Sequence, residues 1–213
     1  MKNRIKGYYF ITDSALSRSG SVKDAAAAAR AGVSIIQYRD KTAPSRGMFA
    51  EASKIRKACP GVLLIVNDRI DIALAARADG VHIGGEDMPF AAARKLLGKN
   101  RIIGVTVHSV KEAKAAEKAG ADYLGVSPIF RTTTKADAGR PAGVKLIRAV
   151  KKFAKIPVVA IGGINHSNAA EVIGAGADAI CAISCVVTKE NVPSEIRKFQ
   201  ELFLRHSKKA GNK

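Results

Sequence analysis

Residues 115–126 read AAEKAGADYLGV: a run of small helix-forming side chains closes on glycine, and an apolar strand begins within three residues. Alanines let a helix lie close against a sheet, and glycine takes the left-handed conformation that ends the helix. Working outward, related junctions recur at 26–37 (AAAARAGVSIIQ), 73–84 (ALAARADGVHIG) and 172–183 (VIGAGADAICAI). The repeat marks successive βα units. Short β-branched runs predict eight strands: YYFITD, VSIIQYRD, VLLIVND, GVHIG, RIIGVTV, YLGVS, PVVAIGG and AICAIS. Helical periodicity predicts helices near 21–31, 44–58, 70–77, 90–98, 109–119, 142–154, 166–175 and 193–206.

Eight units in 213 residues lie at the compact end of the α/β class of single (β/α)8 TIM barrels. The expected organisation is one barrel domain over 1–206 and a basic tail over 207–213 that frays. A doubly wound sheet would have fewer strands and a glycine-rich first turn, whereas FITDSALSRSG (10–20) lacks GxGxxG.

Composition narrows the class further. With 47% hydrophobic and 25% charged residues, the chain can bury a core. No apolar run reaches the roughly 20 residues of a spanning helix, and YYFIT is too short for a signal-peptide core, so a cytoplasmic protein is expected. Cys59, Cys181 and Cys185 form neither a CxxC pair nor a zinc pattern and read as small core residues. A net charge of +18 admits nucleic acid, an anionic membrane surface or phosphorylated substrates. The cations are scattered through KIRKAC, KEAKAAEKAG, RAVKKFAK and RHSKK with few aromatics between them, which favours a solvated face over a nucleic-acid footprint.

In a barrel the functional residues belong at the C-terminal ends of strands. QYRDK (37–41) ends the second strand, and period-two alternation puts Gln37, Arg39 and Lys41 on one face. An amide and two cations suit a phosphate or diphosphate; a surface salt-bridge ladder is the plainer reading. Asp68 and Asp87 end the third and fourth strand regions, where two carboxylates can share a hard cation such as Mg²⁺; each could instead cap the following helix. Thr106 ends the fifth strand. After the sixth, SPIFRTTTKADAG (127–139) offers Thr132, Thr134 and Lys135. Gly162 and Gly163, after the seventh, let backbone N–H groups approach an anion, and Ser184 after the eighth adds a hydroxyl. No nucleophile–base pair stands out: His82 and His108 read as packed or hydrogen-bonded histidines, and His166 as the start of a helix.

Taken in order, YYFITD, QYRDK, VNDRIDIALAARADGVHIGGEDMP, GVTVHS, PIF with TTTKADAG, AIGGI and AISCVV resemble the thiamine phosphate synthase family over nearly the whole chain. The resemblance implies an Mg²⁺-dependent transferase that joins 4-amino-5-hydroxymethyl-2-methylpyrimidine diphosphate to a thiazole phosphate. Gln37, Arg39, Lys41 and Asn67 would hold the pyrimidine diphosphate, with Asp68 and Asp87 on the metal and Thr106 where the family commonly has serine. Thr132 and Thr134 would meet the thiazole phosphate, Lys135 the diphosphate, and Gly163, Ile183 and Ser184 the thiazole phosphate again; Arg39, Lys41 and Lys135 would act in catalysis. Gly85 replaces a usual glutamine, and Ser127 and Arg131 depart from the commoner GPIFPT; these changes bear on loop shape and thiazole preference. The resemblance implies small-molecule partners and no membrane, and leaves a homo-oligomer open. A thiazole tautomerase of the same fold is the near alternative, disfavoured because that branch typically has histidine where Pro128 stands. A non-catalytic barrel that binds anions or nucleic acid is the distant one.

Overall fold

The computed structural model describes residues 2–134 and 139–211. Nine strand segments among them form one parallel sheet: β1 (Gly7–Tyr8), β2 (Phe10–Ile11), β3 (Ile35–Tyr38), β4 (Leu63–Asn67), β5 (Gly80–Ile83), β6 (Ile102–Val107), β7 (Tyr123–Val126), β8 (Val158–Ile161) and β9 (Ala179–Cys181). β1 and β2 are two halves of one stave, separated by Tyr9. The first half pairs with β9 and the second with β3, so the ladder runs round into a barrel. Tyr9 N–H continues the seam by donating to Ile180 O at 2.9 Å. The expected eight-stave (β/α)8 barrel is therefore present, with its first strand divided between two neighbours.

Alternation along the strands sorts the side chains into two cores. Tyr9, Ile35, Leu63, Ile65, Ile102, Tyr123, Val159 and Cys181 fill the barrel interior. Phe10, Ile36, Tyr38, Leu64, Val66 and Leu124 point outward beneath the helices. Because both faces are dry, the strands read as continuous apolar runs with no visible period in the sequence. The interior is fitted closely: a Cβ at Gly104 would fall 2.0 Å from the ring of Tyr123, its register partner on β7.

The helices are α1 (Ser21–Arg30), α2 (Ser45–Ala58), α3 (Ile70–Ala75), α4 (Phe90–Leu97), α5 (Val110–Ala119), α6 (Gly143–Lys151), α7 (Ala169–Gly174), α8 (Ser184–Val187) and α9 (Val192–Gly211). Three differ instructively from expectation. The four-residue α8 was not foreseen, because SCVV is too short to show a helical period. α9 continues through 207–211, the segment expected to fray; serine, lysine and alanine there present no breaker before Gly211. α7 begins at Ala169, so His166 lies in the turn before it and not in the helix.

At the junctions, Gly32, Gly120 and Gly176 all have positive φ, as their sequence position requires. The fourth junction, ARAD, has no glycine, and Arg77 takes the left-handed conformation itself with φ 53°. The aspartate that follows three of these turns is a further part of the repeat. Asp79 Oδ2 accepts from Leu64 N–H of β4 at 2.7 Å and from Arg56 of α2 at 2.7 Å. Asp122 does the same with Ile103 N–H of β6 and Arg94 of α4, at 2.8 and 2.6 Å, and Asp178 with Val158 N–H of β8 and Lys151 of α6, at 2.7 and 2.8 Å. Each carboxylate thus ties a helix to the start of two neighbouring strands, at the end of the barrel opposite the strand-end residues. Among the described residues the exposed Arg77 side chain has no hydrogen-bond partner, while its backbone sits where L-residues are disfavoured. Arg77→Gly should accordingly raise stability by up to about 1 kcal/mol in urea unfolding, with the slope unchanged.

Candidate functional site

The C-terminal ends of the strands open into a cavity of about 820 Å³. Its lining includes Gln37, Arg39, Lys41, Asn67, Asp68, Asp87, Thr106, Thr132, Thr134, Gly163, Ile183 and Ser184. Every strand-end residue singled out from the sequence therefore faces one space, except Lys135, which lies outside the described residues. Gly85, Ser127 and Arg131 line the same cavity.

On one wall, β3 sends Gln37 inward and Tyr38 outward, as alternation requires; Gln37 is 2% exposed and Tyr38 fully buried. Asp40 folds back on its own loop, accepting from Thr42 and Ala43 N–H at 2.8 Å each, so the turn carries Lys41 toward the cavity. The two cations are already partnered. Arg39 Nη1 donates to Asp13 Oδ2 at 2.7 Å, and Lys41 forms an ion pair with Asp68. Asp13, just past the end of β2, is a partner of Arg39 that the sequence patterns do not single out. Arg39 N–H also donates to Thr12 Oγ1 at 2.9 Å, which fixes the backbone from which the guanidinium reaches.

Neither Asp68 nor Asp87 caps a helix: α3 and α4 begin after Arg69 and Pro89 with no side-chain cap. Asp68 N–H instead extends the β4–β5 ladder to His82 O at 2.8 Å, after which Asp68 itself turns left-handed at φ 60°. Asp87 Oδ2 accepts from Gly84 N–H at 2.7 Å. Burial pushes the Asp87 carboxyl above the usual carboxylate range; the Gly84 N–H opposes this, and the neighbouring Asp68 carboxyl adds to it. Two hard oxygen donors crowded together in this way are a charge imbalance that a divalent cation relieves.

The far wall is the loop after β7. Its base is clamped on both sides: Ile129 and Phe130 N–H donate to Ile161 and Gly162 O, and Ala142 and Gly143 N–H return to Pro128 and Ile129 O, all at 2.9–3.0 Å. Beyond YLGV the chain leaves β7 at Val126 but stays hydrogen-bonded to Ile161 and Gly162 through Phe130, after which Arg131–Thr134 line the cavity. Gly163, with φ 65°, is required by that contact: a Cβ would lie 2.4 Å from Arg131 O and 2.8 Å from Phe130 Cβ. Ser184 opens α8 at the adjoining rim, exposed.

Beneath the rim lies a buried polar chain. Gln37 Nε2 donates to Tyr9 Oη at 3.0 Å, Tyr9 Oη meets Tyr123 Oη at 2.8 Å, Tyr123 Oη meets His82 Nδ1 at 2.9 Å, and His82 Nε2 meets Thr106 Oγ1 at 2.8 Å. The expectation of hydrogen-bonded histidines fits His82 and also His108, whose Nδ1 contacts Ser127 O. His166 pairs with Glu195 at 2.7 Å and stacks on Phe199, away from the cavity. Cys59 and Cys181 are buried; Cys185 is half-buried at the cavity wall, where burial pushes its thiol up to about 11 and keeps it protonated.

Three comparisons bear on this arrangement. The family model described as thiamine monophosphate synthase matches residues 8–186. A thiamine-phosphate synthase of Methanosarcina mazei is 49% identical over 206 residues, covering 96% of this chain and 85% of that protein. One from Chloroflexus aurantiacus is 49% identical over 197 residues, covering 91% of each. The solved structure of a thiamine phosphate pyrophosphorylase from Pyrococcus furiosus superposes with a TM-score of 0.88 at 41% identity, covering 96% of this chain and 98% of that one.

The clamped loop gives a test of the far wall. Gly163→Ala should destabilise the chain by about 1–3 kcal/mol, because it combines a left-handed residue with a backbone clash. Thermal melting reads this directly, and an unchanged Tm would mean that the loop base yields.

Proposed function

The chain belongs to the thiamine monophosphate synthase family, and on that premise we propose that it is a transferase coupling 4-amino-5-hydroxymethyl-2-methylpyrimidine diphosphate to a thiazole phosphate, with release of pyrophosphate. The observation that carries the reading is that two cations, Arg39 held by Asp13 and Lys41 held by Asp68, line one cavity of about 820 Å³ together with the Asp68 and Asp87 carboxylates, which crowd each other. A diphosphate needs cations, and a metal that bridges it needs carboxylates.

Mg²⁺ held by Asp68 and Asp87 would supply Lewis-acid neutralisation of the leaving diphosphate. The rest of the work falls to the chain's own groups. Gln37, Asn67 and Thr106 orient the pyrimidine. Ionisation of its carbon–oxygen bond leaves a resonance-stabilised pyrimidine methyl cation, which the thiazole nitrogen attacks. Arg39, Lys41 and Lys135 stabilise the charge gathering on the departing oxygens, in a site that needs no protein nucleophile. Asp13 keeps the Arg39 fork aimed inward, and the Asp68 contact does so for Lys41. Thr132 and Thr134 contact the thiazole phosphate, with Gly163, Ile183 and Ser184 meeting its phosphate chiefly through backbone N–H groups. Among the described residues no helix is long and apolar enough to cross a membrane, which accords with a cytoplasmic enzyme of small-molecule metabolites.

A coupling assay with both substrates, with and without Mg²⁺, tests the reading. Thiamine phosphate and pyrophosphate should appear together and only with the metal; isomerisation of a thiazole tautomer without coupling would instead establish the tautomerase. Asp68→Ala and Asp87→Ala should each lower Mg²⁺-dependent turnover by on the order of a hundredfold. Full activity in both would remove the metal assignment. Lys135→Ala should lower kcat while leaving the KM for the thiazole phosphate near its parent value, and an unchanged kcat would take Lys135 out of the mechanism.

A further inference from the structure

With the Gln37 amide turned so that Nε2 faces Tyr9, hydrogen-bond accounting gives the buried chain from Gln37 to Thr106 a direction. Gln37 presents its amide nitrogen to Tyr9, so the Tyr9 oxygen receives a proton there and must give its own to Tyr123. Were Tyr123 the donor, the Tyr9 oxygen would receive from both sides and its proton would be stranded in a place with no solvent exposure. Tyr123 therefore donates onward to Nδ1 of His82, which leaves the neutral imidazole protonated at Nε2 and donating to Thr106. The Thr106 oxygen is then an acceptor toward His82, and its hydrogen is left for the cavity that Thr106 lines. The Gln37 carbonyl, its amide nitrogen committed below, is the acceptor at the other end.

We infer that Tyr9, Tyr123 and His82 are positioning residues that fix Thr106 as a hydrogen-bond donor and the Gln37 carbonyl as an acceptor toward the pyrimidine substrate. The inference rests on the proposed synthase reading for the ligand's identity, but the direction of the chain does not. Supporting features are independent of one another. His82 is 5% exposed, and its ring is stacked on that of Tyr123 with centroids 5.4 Å apart. Space for the stack is kept by two glycines: a Cβ on Gly104 would meet the Tyr123 ring, and one on Gly125 would lie 2.8 Å from the His82 ring. Burial raises both phenols above their ordinary range, so each keeps the proton that the chain needs. A substrate edge that offers an acceptor to Thr106 and a donor to Gln37 is matched; the reversed edge leaves two like groups facing each other in a dry site.

The experiment has two readouts. In the ¹⁵N-labelled, substrate-free full chain at neutral pH, long-range ¹H–¹⁵N spectra, assigned by the signals lost in His82→Gln, should show His82 with a pyridine-like Nδ1 and a protonated Nε2. A proton on Nδ1, or on both nitrogens, overturns the proposed direction. In steady-state kinetics, Tyr123→Phe should raise the KM for the pyrimidine diphosphate by about fivefold, the effect of one lost neutral hydrogen bond, and leave the KM for the thiazole phosphate unchanged. Equal changes in both, or none, overturn the positioning role, and Tyr9→Phe is read the same way should Tyr123→Phe fail to fold. As the conservative control, Thr106→Ser should retain the low KM that Thr106→Val loses; loss in both overturns donation by the hydroxyl. If the parent chain forms no thiamine phosphate, the synthase reading fails while the His82 tautomer still decides the direction of the chain.

Discussion

The whole molecule depends on a single strand that serves two neighbours. Gly7–Tyr8 bonds to the last strand and Phe10–Ile11 to the second, and Tyr9 joins them with its N–H on Ile180 and its side chain inside the ring. Without that closure the parallel ladder would have two open edges, and the inward residues would face water. Closure converts an apolar strand face into a dry floor. On that floor Tyr9 can hold Gln37 in place, and above it the strand ends converge closely enough for Asp68 and Asp87 to feel each other's charge.

Charge is managed differently at the two ends of the barrel. Below, Asp79, Asp122 and Asp178 each meet a cation and a strand N–H, so carboxylate and cation are mutually satisfied and structural. Above, Arg39 and Lys41 are paired too, but their partners Asp13 and Asp68 stand beside a cavity, and Asp87 is left with a raised proton affinity. The upper arrangement differs in that its cations line an open cavity, where the Asp68 and Asp87 carboxylates crowd each other.

Much of this was legible in the sequence because it is written in short-range patterns. The helix–glycine–strand junctions gave the repeating unit, and polar residues at the ends of apolar runs gave the cavity lining. What escaped was information held between strands. His82 reads as an isolated histidine; its importance comes from facing Gly104, which in turn faces Tyr123, and that register appears only when β5, β6 and β7 are laid side by side. Tyr9 and Tyr123 read as ordinary core aromatics for the same reason. Asp13 was passed over because nothing local distinguishes an aspartate that orients an arginine 26 residues later from one that ends a strand. Gly163 was understood only in part: its positive φ follows from the GG pair, whereas its contact with Arg131 belongs to a loop whose path the sequence leaves open.

The junction aspartates carry one more implication. They do not fall at every junction but at alternate ones, each spanning a helix and the following two strands: α2 with β4 and β5, α4 with β6 and β7, α6 with β8 and β9. The remaining pair, the divided first strand with β3, has Ser34 at the equivalent place, donating to Arg4 O, while Gln200 of α9 donates to Ala31 O. Seen from below, the ring is a set of four tiles of two staves each, every tile fastened by the helix of the one before. A tile, and not a single βα unit, is the smallest piece whose foundation is chemically complete.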